Sequence, residues 1–181
     1  MNSIRFVSFI ALSVLFTSAP ASPSEEWLFE TEGSLPADSD ALQAAFARLK
    51  RLEGLWDEAE YGRVIEYRLT GKGSALIEEF IGDPPMTTVY HLDGDDLRLT
   101  HYCNAGNQPR MKAAAYRDGR LKFDFVDVTN LSSPTAYHTR TLDIVFQDED
   151  HVVLNFVGLK NGKEIATTHS LTRKHAGPGD E

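Results

Sequence analysis

The chain has 181 residues, 27 acidic against 18 basic, for a formal net charge of −9. That length carries one domain with a full core and is short for two. An acidic surface repels phosphate backbones and anionic lipid heads, which argues against nucleic acid and membrane-surface partners. The single cysteine, Cys103, excludes an internal disulfide.

Residues 1–21 have the form of a secretory signal peptide. Arg5 gives the positive start, Phe6 to Phe16 an apolar run, and Ala19-Pro20-Ala21 the small-residue cleavage pattern. The run is shorter than the roughly 20 apolar residues of a membrane span. The expectation is export to a periplasmic or extracellular compartment, with no membrane insertion once the leader is cut. Cleavage removes Arg5 and no acid, taking the net charge to −10. Cys103 lies too far from the leader to anchor a lipoprotein.

Residues 22–37 mix Pro, Ser, Gly and Glu without periodicity and read as a flexible arm, with Trp27, Leu28 and Phe29 able to tack it down. A domain of 38–175 follows, and 176–181 reads as a disordered tail. From Ser39 to about Lys50 the spacing of Leu42, Phe46 and Leu49 predicts one short amphipathic helix, capped by Asp38 or Ser39.

The period then switches to two, with turn residues every eight to twelve positions. The predicted strands are Leu55 to Ala59, Arg63 to Thr70, Ser74 to Ile81, Thr87 to Leu92, Leu97 to Cys103, Arg110 to Tyr116, Leu121 to Val128, Tyr137 to Phe146, Val152 to Val157 and Glu164 to Arg173. About ten short strands in meander order predict an all-β, antiparallel up-and-down barrel of the lipocalin-like kind, which also removes exposed sheet edges.

Hairpin loop length fixes which faces match across each turn. A turn at Asp93-Gly94 pairs Tyr90 with Leu97 and sets Leu92, Leu99, His101 and Cys103 on the inner face, with His91, Arg98 and Tyr102 outside. A turn at Asn161-Gly162 pairs Phe156 with Thr167 and Leu154 with His169, turning His169 inward. A three-residue loop at 148–150 aligns Phe146 with Val152 and carries His138 and Arg140 inward. At Asp118-Gly119 a two-residue turn puts Arg110 inside, whereas an odd loop puts Met111, Ala113 and Ala115 there, so Arg110 is undecided.

Gly54-Leu55-Trp56 opens the first strand and Arg173 closes the last. This resembles the calycin superfamily, in which a Gly-x-Trp lies across the barrel floor and a basic residue from the final strand covers the indole. The resemblance implies structural roles for Trp56 and Arg173. GSALIEEF, MTTVYHLDGDDLRLTHYC and NQPRM, between Gly73 and Met111, resemble an exported bacterial domain family of unassigned function, which implies a lipocalin-like barrel and supplies no catalytic residues. ATTHSLTRK, with His169, is similar to the nitrobindins, ten-stranded haem barrels with an iron-ligating histidine near the C-terminus. That similarity implies haem on His169, although the nitrobindin Gly-x-Trp-x-Gly-x-Gly opening is replaced here by GLWDEAE.

The candidate ligand-binding residues are Tyr67, Tyr90, His101, Arg110, Arg140 and His169. An inward guanidinium must be paired, by a ligand anion or by Glu66, Glu79 or Asp124. Two apart on one strand, His101 and Cys103 face the same way and with His169 are the metal candidates, set against packing as core residues. No catalytic motif is present: Gly71-Lys72-Gly73-Ser74 lacks phosphate-loop spacing, and Glu78-Glu79 and Asp95-Asp96 alternate faces or sit in turns. The sequence therefore predicts a barrel holding a small apolar or amphipathic molecule, with an anionic head accommodated by arginine. The alternatives are a haem sensor using His169, or a filled barrel acting through its acidic surface on proteins. Oligomeric state is open.

Overall fold

The computed structural model describes residues 38–175; the expected leader, arm and tail lie outside the described residues. Helix α1 spans Ser39–Lys50. The Asp38 carboxylate accepts a hydrogen bond from the Asp40 amide at 3.2 Å, satisfying one of the open donors of the first turn. Arg48 and Lys50 meet the carbonyl end. Leu42, Ala45, Phe46 and Leu49, spaced three and four apart, form the buried stripe. Among the described residues no helix is long and apolar enough to cross a membrane.

Ten strands follow: β1 (Gly54–Glu58), β2 (Arg63–Thr70), β3 (Ala75–Ile81), β4 (Met86–Asp93), β5 (Asp96–Tyr102), β6 (Gln108–Arg117), β7 (Arg120–Thr129), β8 (His138–Phe146), β9 (His151–Lys160) and β10 (Lys163–Arg173). Each pairs antiparallel with its sequence neighbours, and β1 also pairs with β10, so the sheet closes into a barrel as expected.

A meander sends alternate loops to opposite ends. Arg48 of α1 donates to the Asp148 carbonyl and to Glu149 in the β8–β9 loop, so the helix sits at that end and its apolar stripe joins the barrel core there. Trp56 is fully buried at this floor, and its indole donates to the Leu52 carbonyl at 2.7 Å. Arg173, opposite Trp56 in the β1–β10 register, lays its guanidinium 4.3 Å from the indole centroid. It also donates to the Glu53, Arg51 and Glu149 carbonyls. Above the floor, Leu76, Tyr67, Tyr90, Leu97, Leu99, Met111, Leu121 and Phe123 fill the interior.

The face assignments hold at most turns. Leu154 pairs with His169 and Phe156 with Thr167, as predicted from Asn161-Gly162. Phe146 pairs with Val152. The β4–β5 turn falls one residue later than expected, pairing Tyr90 with Leu99. That moves the register by two and leaves every side chain on its face, because the strand period is two.

Three positions, Arg110, Arg140 and His138, need correction. His138, expected inward, pairs with Leu159 on the outer face of β9 and is buried against Phe125, away from the cavity. Asp118-Gly119 is indeed a two-residue turn, with φ of 53° and 72° and Tyr116 opposite Leu121. The register then shifts at Ala114, so Met111 and Ala113 face in while Arg110 faces out. Arg110 grips Asp127 through two bonds, 51% of its side chain exposed. In β8 the register shifts between Thr139 and Thr141, making Arg140 the extra residue of a bulge. Arg140 is exposed and lies 4.0 Å from the Phe125 ring centroid, while Thr139 turns inward in its place.

Arg173 ties the segment after α1 to the barrel floor. Replacing it with Met keeps bulk over Trp56 but removes the charge and the three carbonyl bonds, and is expected to cost about 2 to 4 kcal/mol in urea unfolding. A loss under about 0.5 kcal/mol would show that the floor does not depend on it.

Candidate functional site

At the end opposite α1 the barrel holds a cavity of about 550 Å³. Its walls come from the β1–β2, β3–β4, β5–β6 and β7–β8 loops and the strand ends beside them, through Tyr61, Pro84, Asn104 and Tyr137. Phe80, Met86 and Phe156 give it an apolar lining. His101, His169 and Thr139 are its buried polar lining residues, and the two histidine rings flank Phe156 at 5.9 and 5.5 Å between centroids.

Each histidine is held from behind through Nδ1. His169 Nδ1 lies 2.5 Å from Glu58 Oε1. Glu58 is itself buried and accepts from Arg63 Nε at 2.8 Å. An ion-paired carboxylate only accepts, so His169 Nδ1 carries a proton toward it and Nε2 is left toward the cavity. Arg63 stacks its guanidinium over Tyr61 and Phe80 at 4.9 and 5.1 Å, which keeps the charge at the cavity wall without a bare interior cation.

His101 is held by a row of directly opposed inward residues on four adjacent strands: Tyr67 faces Glu78, Glu78 faces Thr88, and Thr88 faces His101. The Thr88 hydroxyl is 2.9 Å from His101 Nδ1. Tyr67 and Tyr90 both donate to Glu78 Oε2, at 2.8 and 2.9 Å. Burial pushes the Glu78 carboxyl above the usual range, against the pull of its hydroxyl neighbours and of His169. Burial also drives His101 down to about 4, so its imidazole is neutral at ordinary pH.

The sequence-derived site is therefore only partly assembled. His101 and His169 meet in one cavity. Tyr67 and Tyr90 do not line it; both are fully buried beneath it, their hydroxyls taken by Glu78. Arg110 and Arg140 are outside the barrel, and the arginine at the cavity is Arg63. Period-two counting from Tyr67 reaches Arg63, and counting from Trp56 and Phe80 reaches Glu58 and Glu78; the turns that fix faces in the sequence begin at Asp93-Gly94, beyond all three. Cys103 lines the cavity beside His101 and His169, yet no three His, Cys, Asp or Glu side chains among the described residues group as a metal site. Burial raises the Cys103 thiol above its ordinary value, so it stays protonated and weakly nucleophilic.

One backbone feature shapes the wall. Tyr137 lies flat on β9 at Gly158, where an added Cβ would come within 2.3 Å of the ring. Asn107 fixes the Tyr137 carbonyl at 2.6 Å. Glycine is required here by close approach, not by its dihedral angles.

Comparison with protein-family models and with curated protein sequences returns no match.

Two stability outcomes test these assignments. Glu78→Gln retains an acceptor for both tyrosines and is expected to change stability by no more than about 1 kcal/mol, whereas Glu78→Leu strands two buried hydroxyls at roughly 2 to 5 kcal/mol. Equal losses would mean that Glu78 is held as a carboxylate. For His101 the folded value is depressed, so its contribution is complete above the ordinary 6.5 and disappears as pH falls to about 4. Wild type is expected to lose about 3 kcal/mol more than His101→Gln across that window; parallel pH profiles would refute it.

Proposed function

We propose that this chain is an exported small-molecule-binding barrel that holds an apolar or amphipathic ligand in the cavity opposite α1. One observation carries the reading: an aromatic-lined space of about 550 Å³ whose wall presents two anchored imidazoles, the form of a preformed site with a few placed polar groups. Phe80, Phe156, Tyr61 and Tyr137 surround the ligand body, and His101 and His169 fix its orientation. Arg110 and Arg140 take no part. The leader-like pattern of residues 1–21 supports export, and the closed barrel with a covered indole at its floor supports the lipocalin-like comparison.

Native mass spectrometry of protein purified without denaturant tests this. A bound small molecule is expected on the wild type and is expected to be missing from Thr167→Trp, which fills the cavity while leaving the floor untouched. A wild type that carries nothing and takes up no apolar probe would transfer weight to surface interactions.

A second reading rests on His169 alone. A histidine whose Nδ1 bonds a carboxylate and whose Nε2 opens into an apolar cavity has the donor chemistry of an axial haem ligand. Tyr61, Phe80 and Phe156 surround it at 5.3 to 5.7 Å between ring centroids. Titration with haemin is then expected to give a Soret band that His169→Ala abolishes. No band in the wild type, or an unchanged band in the variant, would rule this reading out.

A further inference from the structure

Most polar groups in the cavity wall can meet a ligand either way. The hydroxyls of Tyr61, Tyr137 and Thr139 rotate, and an imidazole such as His101 or His169 can donate or accept. Arg63 cannot. Its guanidinium stays protonated at any ordinary pH and offers donors alone. Asp83, the only other Asp, Glu, Lys or Arg among the lining residues, is exposed at the rim.

The surroundings of Arg63 decide which of its donors are already used. It opens β2 directly opposite Glu58 of β1, and its Nε and Nη2 both donate to that buried carboxylate, at 2.8 and 3.4 Å. Tyr61 and Phe80 hold the guanidinium between their rings. The ion pair therefore takes the Nε–Nη2 edge of the fork, and Nη1 has no acceptor among the described residues. Nor is Nη1 sealed from solvent, unlike the unpartnered Glu78 Oε1, Arg98 Nε and Asn107 Oδ1. Its two protons open onto the space that Arg63 lines.

Only 16% of the Arg63 side chain is exposed, so a molecule seated in the cavity displaces the water that reaches those protons. An apolar surface laid over Nη1 leaves a charged donor unpaired, which is costly. An oxygen placed there restores a charge-assisted hydrogen bond. Glu58 and the two rings already fix the guanidinium, so little side-chain freedom is lost in making that bond.

We propose that Arg63 is the head-group anchor of the cavity, its Nη1 edge taking an oxygen acceptor of carbonyl form, in a ketone, ester or carboxylate, while the aromatic lining takes the apolar body. This rests on the small-molecule-binding reading above and names the group its ligand must carry. It requires no particular proton on either histidine. Glu58 balances the guanidinium charge, so a neutral oxygen suffices, and the test separates a neutral head from an anionic one.

Naphthalene, 2-acetylnaphthalene and 2-naphthoate share one apolar body and test it by NMR titration at neutral pH. At least one oxygen-bearing probe is expected to bind about tenfold or more tighter than naphthalene. A preference for the ketone assigns a neutral head, and a preference for naphthoate an anionic one. The double variant Glu58→Gln, Arg63→Met removes both charges of the pair together and keeps bulk between the rings. With its fold certified by a dispersed NMR spectrum, its ratio of affinities is expected to fall to within about threefold. Should it not fold, Arg63→Lys, which keeps a cation on Glu58 but gives up the planar fork, carries the same expectation. Naphthalene binding with neither oxygen probe tighter, or a folded variant that keeps the full ratio, would overturn the Arg63 assignment while sparing the cavity. Binding of none of the three by the wild type would overturn the small-molecule reading and this inference with it.

Discussion

Closure of β1 on β10 is the constraint from which the rest follows. It brings Trp56 opposite Arg173, and that cation over a buried indole joins the first strand, the last strand and the segment leading from α1. With the sheet closed, no strand edge is left exposed, and alternate side chains of all ten strands face an interior from which water is largely excluded. Burial of a polar group there is tolerable only with a partner.

The inward polar residues obey that rule through two separate devices. Near the β1–β2 end, Glu58 is charged and is matched by Arg63, whose guanidinium is spread over two aromatic rings. Across β2 to β5, directly opposed residues run from Tyr67 through Glu78 and Thr88 to His101, with the Tyr67 and Tyr90 hydroxyls on Glu78 and Thr88 on His101. One device pairs its acid with a cation and the other surrounds it with hydroxyls. Both end on an imidazole at the same cavity, so the means of satisfying buried polarity also set the chemistry the cavity displays.

Packing divides the interior between floor and cavity. Large side chains fill the half of the barrel near α1, including the two tyrosines that sequence reasoning assigned to a ligand. The opposite half stays open where Thr139 and Thr167 contribute little volume and loop residues form the wall, Tyr137 packed on Gly158 among them. A barrel of this size thus has both a core and a site, separated along its axis rather than between surface and interior.

The sequence by itself determined the helix, the ten strands, their meander order and the inner placement of His101 and His169, because each rests on a local period or on turn chemistry that one hairpin contains. It also contained Glu58, Arg63 and Glu78 in plain period-two alternation. The tertiary structure alone decided the directions of Arg110 and Arg140. Each depends on one extra residue in the register, at Ala114 within the featureless run Ala113-Ala114-Ala115 and at Arg140 itself. A bulge reverses every face beyond it, yet it is chosen by the fit of a strand to both neighbours in a closed sheet. That fit is a property of the whole barrel and leaves no mark on a single strand's pattern.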